Sequence, residues 1–404
     1  MRISTQSFFQ QNVAGMAQQQ QRLFRVNQQV AANTRLINAS DDPVAASRAL
    51  GVSETIARSD QFKTSRDRAS LALANEDSTL GSVINLMQNV RSLTIAAGSG
   101  TLSDADRNSM ATTIQSNLDQ LVGLANTGDG NGQYMFGGHR SGSEPFVQQA
   151  DGSFDYIGDQ GQRLMQVDTS RQMASSDDGR SVFMSVQGGT GYVASSGGGN
   201  TGTAVFSAIS TVDATAADYG SDFSISFSGG NYTVSTRATP PVAVGTGVYQ
   251  DGKPIAFGGL QIKVSGTPAD GDSIDVSTAK NGGTNVFSAI SDLVAALRKP
   301  VSTGGPTAQA QLLNALSTAN VKITNAHDNV STVRSSVGSR MAEIDSLNDA
   351  GASRVLLDKG YLSQLQDLDL ATALSEVSER KTALTATQQT FAALQNIALF
   401  NYVR

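Results

Sequence analysis

The chain has 404 residues, enough for roughly two to four domains, with a formal net charge of −6 and no cysteine. The acidic balance gives no general case for nucleic-acid binding, and the missing thiols exclude disulfides, zinc–thiolate sites and cysteine nucleophiles. Charged residues make up only 16% of the chain, against about 25% in average proteins. Ala, Ser, Thr, Gln and Asn take their place. Such a polar, weakly charged surface suits subunits that pack closely, although a compositional habit of the lineage would look the same.

At the N-terminus an apolar residue returns every seven positions: Phe9, Met16, Leu23, Val30 and Ile37, with Val13 beside them. This is the seam of a helical coiled coil, and it predicts a helix from about Thr5 to Ile37. The first stretch also carries Arg2, Arg22, Arg25 and Arg35 with no acid before Asp41. That pattern could suit an organelle transit peptide, but the Gln-rich heptads match the C-terminal helix too well to be disposable. Arg2-Ile3-Ser4-Thr5-Gln6 lacks the apolar core of a secretion signal, and no apolar run reaches membrane-spanning length.

Asn38-Ala39-Ser40-Asp41-Asp42-Pro43 is a helix start: an acid caps free N–H groups and proline suits the first turn. A helix from Asp42 or Pro43 continues through Leu73, Leu80, Val83, Met87 and Val90 until Gly98-Ser99-Gly100. Ser103-Asp104-Ala105-Asp106 opens another, with Met110, Ile114, Leu118, Leu121 and Ala125 on one face. From Tyr134 to Gly138 the pattern changes to strands and turns. Phe146-Val147 and Phe154-Asp155-Tyr156 flank Asp151-Gly152, a hairpin signal, and Leu164 to Val167 follows as a strand.

Residues 178–283 are rich in Gly, Ser and Thr with alternating apolar positions, as in Phe223–Phe227, Tyr232–Val234 and Leu260–Val264. They read as an inserted small β domain, with Gly188-Gly189 and Gly197–Gly199 as loops or turns. Helix returns at Asn285, with Phe287, Ile290, Leu293, Val294 and Leu297 on one face until Pro300. After Gly304-Gly305-Pro306 comes a long helix with Leu316, Ile323, Val330, Val337 and Ile344 in heptad spacing. The last helix is expected after Leu362-Ser363. It carries a second seam: Leu370, Leu374, Val377, Leu384, Phe391, Leu394 and Ala398.

The fold class expected is therefore α+β: a long helical-bundle or coiled-coil rod built from both ends of the chain, with a β-hairpin region and an inserted β domain. Three parts follow. Residues 1–41 with 362–404 form a terminal coiled-coil domain, disordered before assembly. Residues 42–177 with 284–361 form a helical rod, and 178–283 an outer β domain. The candidate subunit interface is Phe9, Met16, Leu23, Val30 and Ile37 of the first seam with Leu370, Leu374, Val377, Leu384, Phe391, Leu394 and Ala398 of the second. A two-helix pair alone would leave much of both apolar faces uncovered.

Several stretches carry a family resemblance. Arg2-Ile3-Ser4-Thr5, the turn Arg35 to Ser47, Gly132-Gln133-Tyr134-Met135-Phe136-Gly137-Gly138 and the end from Gln388 to Tyr402 together resemble the flagellin-type axial proteins of bacterial flagella. Within that group Ala45-Ala46-Ser47 and Phe400-Asn401-Tyr402 are most similar to the hook–filament junction class rather than to flagellin. The resemblance covers about residues 1–168 and 285–404. In the β domain only Ser265–Ser273 is similar, to a segment of hook-associated proteins. It implies a structural adaptor, exported unfolded through the flagellar type III channel to the extracellular flagellum. Implied partners are further copies in a ring, the first hook-associated protein, flagellin and an export chaperone, with no cofactor, nucleic acid or membrane insertion. A filament subunit, or a secreted protein with an enzymatic β insertion, are the alternatives.

Catalytic readings are poor. The two histidines, His139 and His327, have no nucleophile partner or metal-ligand spacing near them. Residues 178–283 contain no histidine, so that segment alone holds neither a Ser-His-Asp triad nor a histidine–zinc site. Asp270-Gly271-Asp272-Ser273-Ile274-Asp275 lacks the bidentate Glu of a calcium loop and reads as a β-turn. No Gly-Lys-Ser/Thr follows the glycine runs, so no phosphate loop is present.

Overall fold

The computed structural model describes residues 5–130, 132–185, 191–282 and 285–400. Arg2, Ile3, Ser4, Gly188, Gly189, Asn401 and Tyr402, all used in the sequence reading, lie outside them. Helix α1 spans Thr5–Ala32, α2 Pro43–Ala97 and α3 Asp104–Ala125. Strands β1 (Phe146–Gln148) and β2 (Phe154–Tyr156) form one hairpin, β3 (Leu164–Asp168) and β4 (Arg171–Ala174) another. A short α4 (Gly179–Phe183) precedes β5 (Tyr192–Ser196), β6 (Val205–Phe206), β7 (Ser210–Thr211), β8 (Phe223–Ser228), β9 (Asn231–Thr236), β10 (Ala243–Val248), β11 (Pro254–Phe257), β12 (Leu260–Ser265) and β13 (Ser273–Thr278). Helices α5 (Val286–Arg298), α6 (Gly305–Gln366) and α7 (Leu370–Phe400) complete the chain. Its contacts divide into two compact units, residues 1–64 with 346–404 and residues 65–345.

In the larger unit the helix starts follow their capping chemistry. Ser103 caps α3: its Oγ accepts the Asp106 N–H while the Asp106 carboxylate accepts the Ser103 N–H, a capping box. Asn285 caps α5 by accepting the Phe287 and Ser288 N–H groups. The apolar faces predicted for these helices are buried: Leu73, Leu80, Val83, Met87 and Val90 on α2, Ile323, Val330, Val337 and Ile344 on α6, and the whole apolar face of α5.

The segment Tyr134–Gly138 is not the strand expected from its pattern but a turn. Phe136 is drawn into an aromatic knot instead, with its ring centroid 5.2 Å from Phe183. Phe146 joins the same knot, at 5.4 Å from Phe183 and 4.9 Å from Phe287. Gly138 adopts φ 66°, where an added Cβ would meet the Asp159 carboxylate at 2.3 Å, so glycine is required.

The inserted β domain has a five-stranded antiparallel sheet in the order β10-β9-β8-β13-β5 and a smaller sheet β11-β12-β6, with β7 also paired to β12. Phe223, Ile225, Val234, Ile262, Val264 and Val276 from the two sheets form one core. Two of its hairpin turns are Gly229-Gly230 and Gly258-Gly259, all at positive φ, as tight two-residue turns demand. The first and last strands of the insertion pair with each other, Tyr192 opposite Thr278. One face of α6 is stitched to this domain by side chains. Thr307 Oγ1 and Gln311 Nε2 donate to the Thr201 and Asn200 carbonyls. Asn314 accepts the Phe206 N–H at 3.0 Å and donates to the Ala204 carbonyl at 2.8 Å. Thr318 Oγ1 donates to the Ala194 carbonyl at 2.7 Å.

Candidate assembly interface

The smaller unit is built around a pair of long helices, α1 against α7. Polar residues dominate α1 and make up about half of α7, where many of the apolar ones are alanines, so the pairing rests on sparse large apolar positions. Phe9 and Phe391 place their rings 5.1 Å apart. Val26 and Ala373 are the buried hydrophobics that these two helices contribute among the described residues. Met16, Leu23 and Val30 on α1, and Val377, Leu384 and Phe391 on α7, are half-buried. Phe9 and Leu370 are each 46% exposed, Val13 41% and Leu374 56%. Leu394 and Ala398 lie on α7, but their side chains fall outside the described ones. Thus seam residues from both ends of the chain share one helix pair, and that pair leaves much of its apolar stripe open to water.

Helix α1 ends at Ala32, short of the Ile37 expected from the heptads. Asn33 takes a left-handed φ of 50°, a usual way for a helix to stop. The next residues are diverted into contact with the end of α6. The Arg35 N–H donates to the Gln366 carbonyl at 2.7 Å, and Thr34 Oγ1 donates to the same carbonyl at 3.0 Å. Ile37 therefore sits half-buried in a loop.

The second correction is the helix break, expected at Leu362-Ser363. Those residues continue α6, which runs to Gln366. Asp369 sets the true boundary: its carboxylate accepts the Ala371 and Thr372 N–H groups and holds its own pKa low through the Thr372 hydroxyl and these N–H donors.

The turn from Arg35 to Ser47 is fixed by two acids. Asp41 accepts the Ile37 N–H at 3.2 Å and the Asn38 N–H at 3.1 Å, and pairs with Arg25 of α1 at 2.8 Å. The Asn38 N–H, with help from the Ile37 N–H and Arg25, keeps the Asp41 carboxyl below its ordinary range. Asp42 caps α2 by accepting the Ala45 N–H at 3.0 Å. Elsewhere in this unit Leu356 and Leu357 of α6 are 72% and 74% exposed.

Residues weighed for chemistry are placed as structural groups. The His139 N–H donates to the Asp159 carboxylate at 2.8 Å. His327 Nδ1 lies 3.1 Å from Asp328 and its Nε2 3.4 Å from the Gln88 amide. Asp272 is buried and accepts the Thr201, Gly202 and Ala269 N–H groups, which makes it the organiser of a turn. Among the described residues no group of three or more His, Cys, Asp or Glu could hold a metal ion.

Comparison with known proteins agrees with this architecture. The profile of the bacterial flagellin N-terminal helical region matches residues 3–141. That of the D2-like domain of flagellar hook-associated protein 1 matches residues 195–278. The chain is similar to flagellar hook-associated protein 3 of Escherichia coli, 29% identical over 400 residues and 99% of each chain. A crystal structure of FlgL from Xanthomonas campestris is 30% identical, with a TM-score of 0.68, and the match covers 77% of this chain and 99% of that one. The chain belongs to the flagellar hook-associated protein 3 (FlgL) family. Another structure of this family, from Legionella pneumophila, is 29% identical with a TM-score of 0.70, covering 78% of this chain and 98% of its own. FlgL membership makes the chain a structural component of the bacterial flagellum, of the hook–filament junction class, rather than a filament subunit.

The polar face of α6 carries no strong signal in the sequence. Thr307, Gln311, Asn314 and Thr318 recur at helical spacing, but polar residues at that spacing usually mark a solvated face. The available signal was that none of them is charged.

Proposed function

We propose that the chain assembles as a ring that joins the hook, through the first hook-associated protein, to the flagellin filament. Assembly proceeds by packing the α1–α7 pairs of neighbouring subunits against one another. The observation that carries this reading is the half-covered seam: Phe9, Val13, Leu370 and Leu374 remain exposed after the two helices have found each other. Exposed apolar stripes of this kind are buried by association. The terminal part, residues 1–41 and 362–404, gains its full order on packing. Residues 42–177 and 284–361 act as the rod, and residues 178–283 as the outward β domain. An export chaperone covers the seam before the chain passes unfolded through the flagellar type III channel to the outside.

The protein works mechanically and is not an enzyme. His139 contributes its backbone N–H to a turn, and the His327 ring lies within hydrogen-bond reach of Gln88 on a helix. Electron microscopy of cells lacking the chain tests the whole reading. Hooks without filaments, with flagellin free in the medium, are expected. Normal filaments would overturn it.

A further inference from the structure

Burial strips a carboxylate of water, so a buried acid needs strong partners or keeps its proton. Glu76 on α2 is wholly buried. Its Oε1 accepts one backbone bond, from the Asp177 N–H at 3.1 Å. Its Oε2 has no hydrogen-bond partner among the described residues. The charged groups acting on it come from two elements, Asp177 in the turn after β4 and Arg340 on α6. Arg340 is already engaged: it pairs with the Asp177 carboxylate and donates to the Ala174 carbonyl at 3.0 Å. The other charges nearby in sequence are directed elsewhere. Asp178 caps α4 through the Ser181 N–H and Asp77 pairs with Arg334, while Arg163 donates to Ser176 Oγ in the same turn and otherwise meets Gln133 and Asp129.

We propose that Glu76 and Asp177 share a single negative charge, Glu76 keeping its proton, and that this protonated pair is a pH-operated latch fastening the turn after β4 to α2. A neutral Glu76 accepts from the Asp177 N–H and has a proton to offer the Asp177 carboxylate. An ionised Glu76 would set two anions against one guanidinium in a site closed to bulk solvent. The place matters because this turn is where the chain leaves the β3–β4 hairpin for α4 and the β domain beyond it.

The direction of the effect follows from linkage. Burial first, then the Asp177 charge, pushes the Glu76 carboxyl from 4.5 up to about 8. Between those values the folded chain holds a proton that the unfolded chain has lost. The contribution of the latch is therefore complete below about 4.5 and is lost as the pH rises to about 8. The partnered acids Asp41 and Asp104 have lowered pKa values and act in the opposite sense, favouring the fold as the pH rises out of the acid range.

Thermal and urea unfolding of the full chain between pH 5.5 and 8.5 tests the latch. One linked proton changes the unfolding constant by up to about tenfold per pH unit. The wild type should lose stability across this range. Glu76→Gln keeps the shape without the charge, so it should not show that loss and should outlast the wild type at pH 8.5. Parallel profiles for the two proteins would overturn the proposal. A second measurement needs no variant: a carbon-13 titration of glutamate carboxyls in the wild-type chain. One carboxyl titrating near pH 8, moved down by Asp177→Asn, is expected. If all glutamates titrate near 4.5, the latch does not exist.

Discussion

Replacing Asn314 by alanine should loosen the β domain from α6 by an amount that the geometry sets. Asn314 is 5% exposed, and its amide satisfies two backbone groups of the β domain, the Phe206 N–H at 3.0 Å and the Ala204 carbonyl at 2.8 Å. Phe206 is itself buried, so truncation strands these groups away from bulk solvent. A stranded buried polar group costs about 1–3 kcal/mol, or about 2–6 kcal/mol for the two. A water entering the space left by the amide would recover part of this. The expected loss is therefore about 2–4 kcal/mol in urea unfolding, with the Phe206 amide exchanging its hydrogen faster. Thr307→Ala removes a bond at the exposed rim of the same face and should cost under about 0.5 kcal/mol. If Asn314→Ala costs no more than Thr307→Ala, the polar face of α6 does not hold the β domain and the reasoning fails.

Leu384→Asp places a carboxylate in the half-buried seam of α7. It should block filament growth while the chain is still exported and its melting transition moves little, since a buried unpaired charge costs several kcal/mol only where the seam is fully covered. Motility and electron microscopy read the first effect, and calorimetry the second. Asp104→Asn tests an acid at the start of α3. Its pKa is lowered chiefly by the Ser302 hydroxyl, then by the Val301 N–H, Arg107 and the Ser302 N–H. The variant should be the less stable protein at pH 7, and its deficit should shrink as the pH falls below the ordinary value of 3.8. Gly259→Ala would drive a Cβ to 1.9 Å from the Asp213 carbonyl oxygen at a φ of 76°. It should destabilise the β domain by more than about 2 kcal/mol and leave the helical circular dichroism signal nearly unchanged.

Local chemistry made most of the helical part legible. Asp42-Pro43, Ser103 to Asp106 and Asn285 each announce a helix start through groups that cap their own neighbours, so no distant information is needed. The heptad residues of α6 were equally plain because Ile323, Val330 and Val337 meet a core that runs along the helix. Failures came where distant parts of the chain decide. The early end of α1 depends on Gln366, far away in sequence, drawing Thr34 and Arg35 into contact. Tyr134–Gly138 alternates like a strand, yet Phe136 is claimed by Phe183. The burial of Glu76 was legible, because it stands three residues after Leu73 and four before Leu80 on the apolar stripe of α2, whereas Asp77 lies beside that stripe and pairs with Arg334. Its neighbour Asp177, far away in sequence, was not. Within the interface, Val26 is more deeply buried than the heptad positions Leu23 and Val30 that flank it. A register read from one helix does not say which side its partner approaches.

The pairing of Tyr192 with Thr278 gives the β insertion a property useful beyond motility. Its entering and leaving strands are immediate neighbours, about 5 Å apart. A guest domain whose own ends lie side by side could be grafted between the same two points without stretching the host. The helical body would register only a doorway of fixed width. An engineer can use the same doorway to display an enzyme or an epitope. A guest must replace or tolerate the uncharged row from Thr307 to Thr318, whose amides and hydroxyls would otherwise turn to water.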